Sequence, residues 1–157
     1  MRSIHFLAVS VALVGFVTSA SAADDLKLAY LAPETSVNKL GTESQAAHRL
    51  ATELGSTTLI LPQGAGRFVD ETGKEVDLDI FPVVWHHQGD SADQSGPLYD
   101  TQSIEALRTY VSSGHRLFLS GAALAMVHTL GIETARPRLG RGGKDRYLAQ
   151  LIPVETG

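Results

Sequence analysis

The stretch HRLFLSGAALAMVHTLG, residues 115–131, runs a short apolar strand into a helix through a very tight turn. A strand that reverses directly into a helix needs small side chains at the bend, because the helix must pack close against the strand it has just left. Ser120, Gly121, Ala122 and Ala123 meet that steric demand. Enzymes that exploit such an elbow also set a nucleophile at its apex, beside backbone N–H groups that receive a developing oxyanion. Here the G-x-S-x-G pattern is absent and the chain contains no cysteine. The expectation is therefore an elbow without its chemistry. Ser120 reads as a strand-end residue whose hydroxyl caps the helix beginning at Ala122. The competing reading makes Ser120 the nucleophile of a serine hydrolase, with His86, His87 or His128 as its base.

Upstream of this stretch the same alternation repeats. Residues 26–33, LKLAYLAP, form a short apolar strand candidate, followed by a polar loop. Thr42-Glu43-Ser44-Gln45 fits a capping box. Ala46, Ala47, Leu50, Ala51 and Leu54 then give an apolar stripe at helical spacing, and Gly55 suits a left-handed stop. TTLILP at 57–62 is a second strand, rich in β-branched residues. VDETGKEV, within residues 63–78, reads as a small hairpin around Thr72-Gly73 or as a loop. IFPVVWHH at 80–87 is a continuous apolar run of the kind buried on both faces of a parallel sheet, with Pro82 tolerable at its start. After the polar loop 88–100, Asp100 or Thr101 caps a helix whose apolar face is Ile104, Leu107, Tyr110 and Val111, closed by Gly114. Short buried strands alternating with amphipathic helices predict a mostly parallel sheet covered by helices on both faces, a three-layer α/β sandwich.

At the amino end, MRSIHFLAVSVALVGFVTSASA has one early positive charge, an apolar run from Phe6 to Val17 and a small-residue finish at Ala20-Ser21-Ala22. That layout predicts a signal peptide over residues 1–22 and an exported α/β domain over 23–157, periplasmic or extracellular. The apolar run is short for a membrane span, which takes about 20 residues, so no membrane association is expected after cleavage. The mature chain carries 12 Lys and Arg against 17 Asp and Glu. An acidic domain of this kind is a poor partner for nucleic acid, because phosphate contacts need concentrated positive charge. The basic stretch RPRLGRGGKDR at 136–146 reads as a solvated, glycine-rich loop. Without cysteine, disulfides, thiolate metal sites and cysteine nucleophiles are all excluded.

The polar residues at the strand ends are the binding candidates. In open α/β sheets ligands sit beyond the carboxyl ends of the strands, at a reversal of strand order. That rim gathers Ala32 to Ser36, His86, His87, Gln88, Asp90, Ser120 and Gly121. His86 and His87 are neighbours on a strand and point to opposite faces, so they do not chelate one metal together. Asp90 and Asp93 follow, but their spacing matches no ligand motif, and no metal or cofactor is expected. A sugar suits His87, Gln88 and Asp90, with Trp85 or Tyr99 for stacking, although Trp85 reads first as a core residue. His48 and His128 read as ordinary helical histidines, and His115 follows a helix end where a cation is favourable. The loop APETSVNKLGTES at 32–44 raises a third reading, a flavin or nucleotide site, because it occupies the position where flavodoxin-like proteins cradle phosphate.

The run QSIEALRTYVSSGHRLFLSGAALAMVHTLGIE, residues 102–133, and the segment FPVVWHHQGD before it resemble class I glutamine amidotransferase-like domains. The flavour is that of the secreted, trehalose-utilisation-type branch found in bacterial multidomain proteins. The resemblance covers residues 26–133 and implies a flavodoxin-like fold. Active members hold a Cys at the elbow with a His, and often a Glu, further on. The matching position here is Ala122 or Ala123, so the resemblance carries over no catalytic residue. Domains of this type run on with further strands, whereas here YLAQLIPVETG is followed by nothing more, and the fold is expected to be incomplete at its carboxyl end. The expected function is an exported, non-catalytic module that binds a small molecule or carbohydrate, or packs on a neighbouring domain or protein.

Overall fold

The computed structural model describes residues 27–89 and 94–135, and the backbone of a two-residue antiparallel pair, β6 (Arg141–Gly142) and β7 (Arg146–Tyr147). The expected signal peptide, the loop carrying Asp90 and Asp93, most of the basic stretch and the terminal LIPV lie outside the described residues.

Five strands make one sheet: β1 (Lys27–Leu31), β2 (Ser56–Gly64), β3 (Arg67–Asp70), β4 (Val83–Gln88) and β5 (Arg116–Gly121), in the order β3-β2-β1-β4-β5. β1 is parallel to β2 and β4, β4 is parallel to β5, and only β3 runs antiparallel. Chain direction across the sheet reverses after β1, with β2 laid on one side and β4 on the other.

The α-helices among the described residues are α1 (Thr42–Leu54), α2 (Thr101–Ser112) and the single turn α3 (Met126–Thr129). The apolar faces of the strands divide into two cores. Leu28, Tyr30, Leu59, Leu61 and Trp85 pack with Ala47 and Ala51 of α1. Ala29, Leu31, Ile60 and Val84 pack with Ile104, Leu107 and Tyr110 of α2 and with Met126 of α3. Helix, sheet and helix thus form the three-layer α/β sandwich. No helix among the described residues is long and apolar enough to cross a membrane.

Several local expectations are corrected. The N-cap of α1 is Gly41, which has no side chain with which to cap the first turn. Gln45 Nε2 donates to Leu40 O at 2.9 Å, so the capping box does not form. The buried stripe of α1 is Ser44, Ala47 and Ala51, while Leu50 and Leu54 are half exposed. Small residues let this helix lie close on the sheet, and its leucines fall to the flank. Gly55 has φ 168°, extended rather than left-handed. In residues 63–78 the expected hairpin around Thr72-Gly73 is present, closed by a bridge between Val69 and Glu75 and by Asp70 N donating to Lys74 O at 2.8 Å, and a further hairpin joins β2 to β3 through Ala65-Gly66. The helix after the elbow begins as a 3-10 turn over Ala122–Ala125 before α3.

Other expectations match. The Asp100 side chain accepts from Ser103 N at 2.7 Å and caps α2. Its Oδ2 also accepts from Ala65 N at 2.7 Å, tying the β2–β3 turn to the helix start. Those backbone donors hold the Asp100 carboxyl below the usual carboxylate range. Pro82 stands just before β4, where its missing N–H removes nothing from the ladder.

Candidate functional site at the carboxyl rim of the sheet

Alternation along β4 sends neighbouring side chains to opposite faces, and the two adjacent histidines part accordingly. His86 is fully buried. Its Nδ1 lies 2.8 Å from Leu31 O. A carbonyl only accepts, so Nδ1 carries the proton and Nε2 faces the Tyr99 hydroxyl at 3.3 Å. That hydroxyl donates in turn to Gln88 Oε1 at 2.6 Å. Burial pushes the His86 imidazole down to about 4, so it is neutral at physiological pH. His86 and Gln88 therefore belong to a buried polar chain on the α2 side.

His87 lies on the α1 side and is half buried. The parallel register sets it opposite Ser120. His87 Nδ1 is 2.9 Å from Ser120 Oγ, and Trp85 Nε1 donates to the same oxygen at 2.8 Å. Ser120 thus does not cap the helix, contrary to expectation, because the register aims its hydroxyl across the ladder at β4. Trp85 packs in the core as expected and uses its N–H on Ser120. Beside it Phe118 is 55% exposed, with ring centroids 5.7 Å apart. Trp85, Phe118, His87 and Ser120 make one continuous face of rings and polar groups. Phe118 was not among the sequence candidates, since in an apolar strand every residue reads as core.

The apex of the elbow is Gly121, with φ 64° and ψ −142°. A Cβ there would run into Gln88 O and come within 3.1 Å of His87 Cε1. Ala122 and Ala123, the positions matched by resemblance to the catalytic Cys, are buried in the turn that follows. Ala122 N donates to Gly89 O at 3.2 Å. The strained position therefore has no room for a side chain, and the amide after it is already engaged. With no cysteine in the chain, no cysteine nucleophile is present.

The loop after β1 holds Glu34, which the expected rim included only within the range Ala32 to Ser36 and without a role. Glu34 Oε1 accepts from Gly41 N at 2.9 Å and from Ser44 Oγ at 2.8 Å. The chain's own carboxylate thus sits at the start of α1, where the phosphate-cradle reading needed a ligand anion. Its only sequence signal was an acid in a Ser/Thr/Gly loop ahead of a helix, a place where negative charge is favourable.

The remaining histidines among the described residues are ordinary. His48 stacks on Tyr30 at 5.7 Å, His128 is exposed, and His115 stacks on Tyr110 at 4.7 Å with its Nε2 3.7 Å from Asp79. No group of three or more His, Asp or Glu among the described residues is arranged to hold a metal ion. A groove of about 500 Å³ beside β3 and α2, lined by Phe68, Asp77, Leu78, Asp79 and Tyr110, contains none of the candidate residues. No known protein family, curated protein or solved structure matches this chain.

Proposed function

We propose that this chain is an exported, non-catalytic binding module of the glutamine amidotransferase-like, flavodoxin-like kind, whose carboxyl rim holds a small polar ligand. The observation that carries the non-catalytic part is the elbow. Its apex is a glycine whose side-chain direction is filled by Gln88 O, and the following amide is given to Gly89 O. A carbohydrate suits the face beside it. The exposed Phe118 ring offers a stacking surface, and His87 and Ser120 offer polar groups at its edge. A carbohydrate array probed with the labelled protein tests this. Retention of one glycan class, lost in Phe118→Ser while cooperative unfolding is kept, supports the reading. An array without signal refutes the carbohydrate assignment.

One distance favours the serine-hydrolase reading. Ser120 Oγ and His87 Nδ1 are 2.9 Å apart, within reach for a nucleophile and its base. Against it, Oγ is also the acceptor for Trp85 Nε1 and is held flat against the ladder rather than raised at the apex. A fluorophosphonate probe separates the two readings. Labelling that disappears in Ser120→Ala would establish the hydrolase and overturn the module.

A further inference from the structure

The crevice where strand order reverses lies between the ends of β1 and β4, under the start of α1. Ligands of open α/β sheets collect at such a crevice. Two polar atoms there are buried without a hydrogen-bond partner, Glu34 Oε2 and the Tyr30 hydroxyl. Tyr30 itself is fully buried, and its hydroxyl lies within electrostatic reach of both Glu34 and Glu43. Burial pushes that phenol up to about 12, so it stays neutral. The carboxylate of Glu43 reaches across to the backbone of Gly89 at the end of β4.

Natural proteins rarely leave such groups unpaired, because a buried polar group without a partner gives up its hydration and regains nothing. The Glu34 carboxylate is held in one orientation by Gly41 N and Ser44 Oγ. Its second oxygen is therefore a fixed acceptor rather than a mobile one. Two carboxylates, Glu34 and Glu43, both act on the Tyr30 hydroxyl, and neither forms an ion pair among the described residues. The corner repels anions, and among the described residues no cation faces it.

From the orphaned oxygens of Glu34 and Tyr30 and the uncompensated charge around them, we infer that this corner is a subsite for a ligand ammonium group. The inference rests on the reading of the rim as a ligand site, and it assigns to that site a cationic donor rather than a phosphate or a neutral ring. The ammonium donates to Glu34 Oε2 and to the Tyr30 oxygen, and Glu43 closes over it from the exposed side.

The test is amide chemical-shift titration of the whole mature chain with n-propylammonium, with 1-propanol as its neutral counterpart and Ca²⁺ as a hard cation. The expected result is saturable shifts at Gly41, Ser44 and Gly89 with the ammonium, and affinity weaker by roughly tenfold or more for the alcohol, the scale of a charge-assisted hydrogen bond. Glu34→Gln abolishes the shifts. Should that variant fail to fold, Glu43→Gln, an exposed position with no side-chain hydrogen bond among the described residues, lowers the affinity several-fold on an intact domain. Equal response to alcohol and ammonium, a response to Ca²⁺ alone, no response, or an unaltered response in these variants would overturn the inference. Failure of the carbohydrate array leaves this outcome untouched, and failure here leaves the Phe118 face untouched.

Discussion

Replacing Gly121 by alanine should be among the most damaging single-methyl changes available in this domain. Two effects add. The backbone at φ 64°, ψ −142° is one that side-chain-bearing residues rarely adopt, and holding a non-glycine residue in such a conformation costs about 1–3 kcal/mol. The added Cβ also meets Gln88 O, a backbone atom of β4 that cannot swing aside. Forcing an extra carbon into a packed site costs a further 1–3 kcal/mol or so. The sum, about 2–6 kcal/mol, is a large share of the roughly 5–15 kcal/mol that stabilises a typical domain. Gly73→Ala is the matched control. Gly73 has φ 85° but nothing within 4 Å of its Cβ direction, so only the left-handed cost of about 1–2 kcal/mol applies. Urea unfolding followed by tryptophan fluorescence measures both, since Trp85 is the single tryptophan and lies on the strand next to the elbow. A Gly121→Ala variant no less stable than Gly73→Ala would refute the reasoning. The elbow would then have room for a side chain at its apex.

Other outcomes follow from the same geometry. Ser120→Ala strips Trp85 Nε1 of its acceptor and His87 of its partner. A buried donor left alone costs about 1–3 kcal/mol, so the variant should unfold at lower urea while esterase and glutaminase readings stay at background in both proteins. His86 has a folded-state pKa of about 4 against 6.5 unfolded. The unfolded chain therefore binds the extra proton first, and stability is complete above about pH 7 and falls as pH drops toward 4, by up to about 3 kcal/mol. Unfolding at pH 7.5 and 5 should show this loss, and His86→Asn should flatten it. A wild-type chain equally stable at both would contradict the burial of His86. Tyr110→Phe leaves Phe81 O without its 2.8 Å donor and should cost about 1 kcal/mol by the same denaturation. A neutral result would show that water replaces the hydroxyl.

The alternation of strands and helices was legible because burial on both faces writes itself as apolar runs, as in residues 80–87. The β3 strand was not. RFVDETGKEV is mostly polar, and its pairing depends on the turn at Ala65-Gly66, where even a non-glycine residue takes φ 53°. Leu50 and Leu54 misled because periodicity counts hydrophobicity, whereas close helix–sheet contact selects small residues such as Ala47 and Ala51. The opposite facing of His86 and His87 was legible from the pleat alone. Their partners were not, because the meeting of His87 with Ser120 depends on register between strands 33 positions apart. The role of Glu34 stayed hidden for a different reason. A loop acid becomes a site only when a helix start 10 positions away folds back onto it.

The reversal of strand order divides the sheet into two halves. One half, β1 to β3, is paired within itself, and so is the other, β4 to β5. A single seam joins them, Leu28–Leu31 against Val83–His86, across a separation of 55 positions. Closing that seam carries the largest loop-closure entropy of any strand pairing in the sheet. The crevice at the seam's carboxyl end touches both halves. Whatever it binds spans the joint of longest sequence separation, and so stabilises the union of the two halves by mass action.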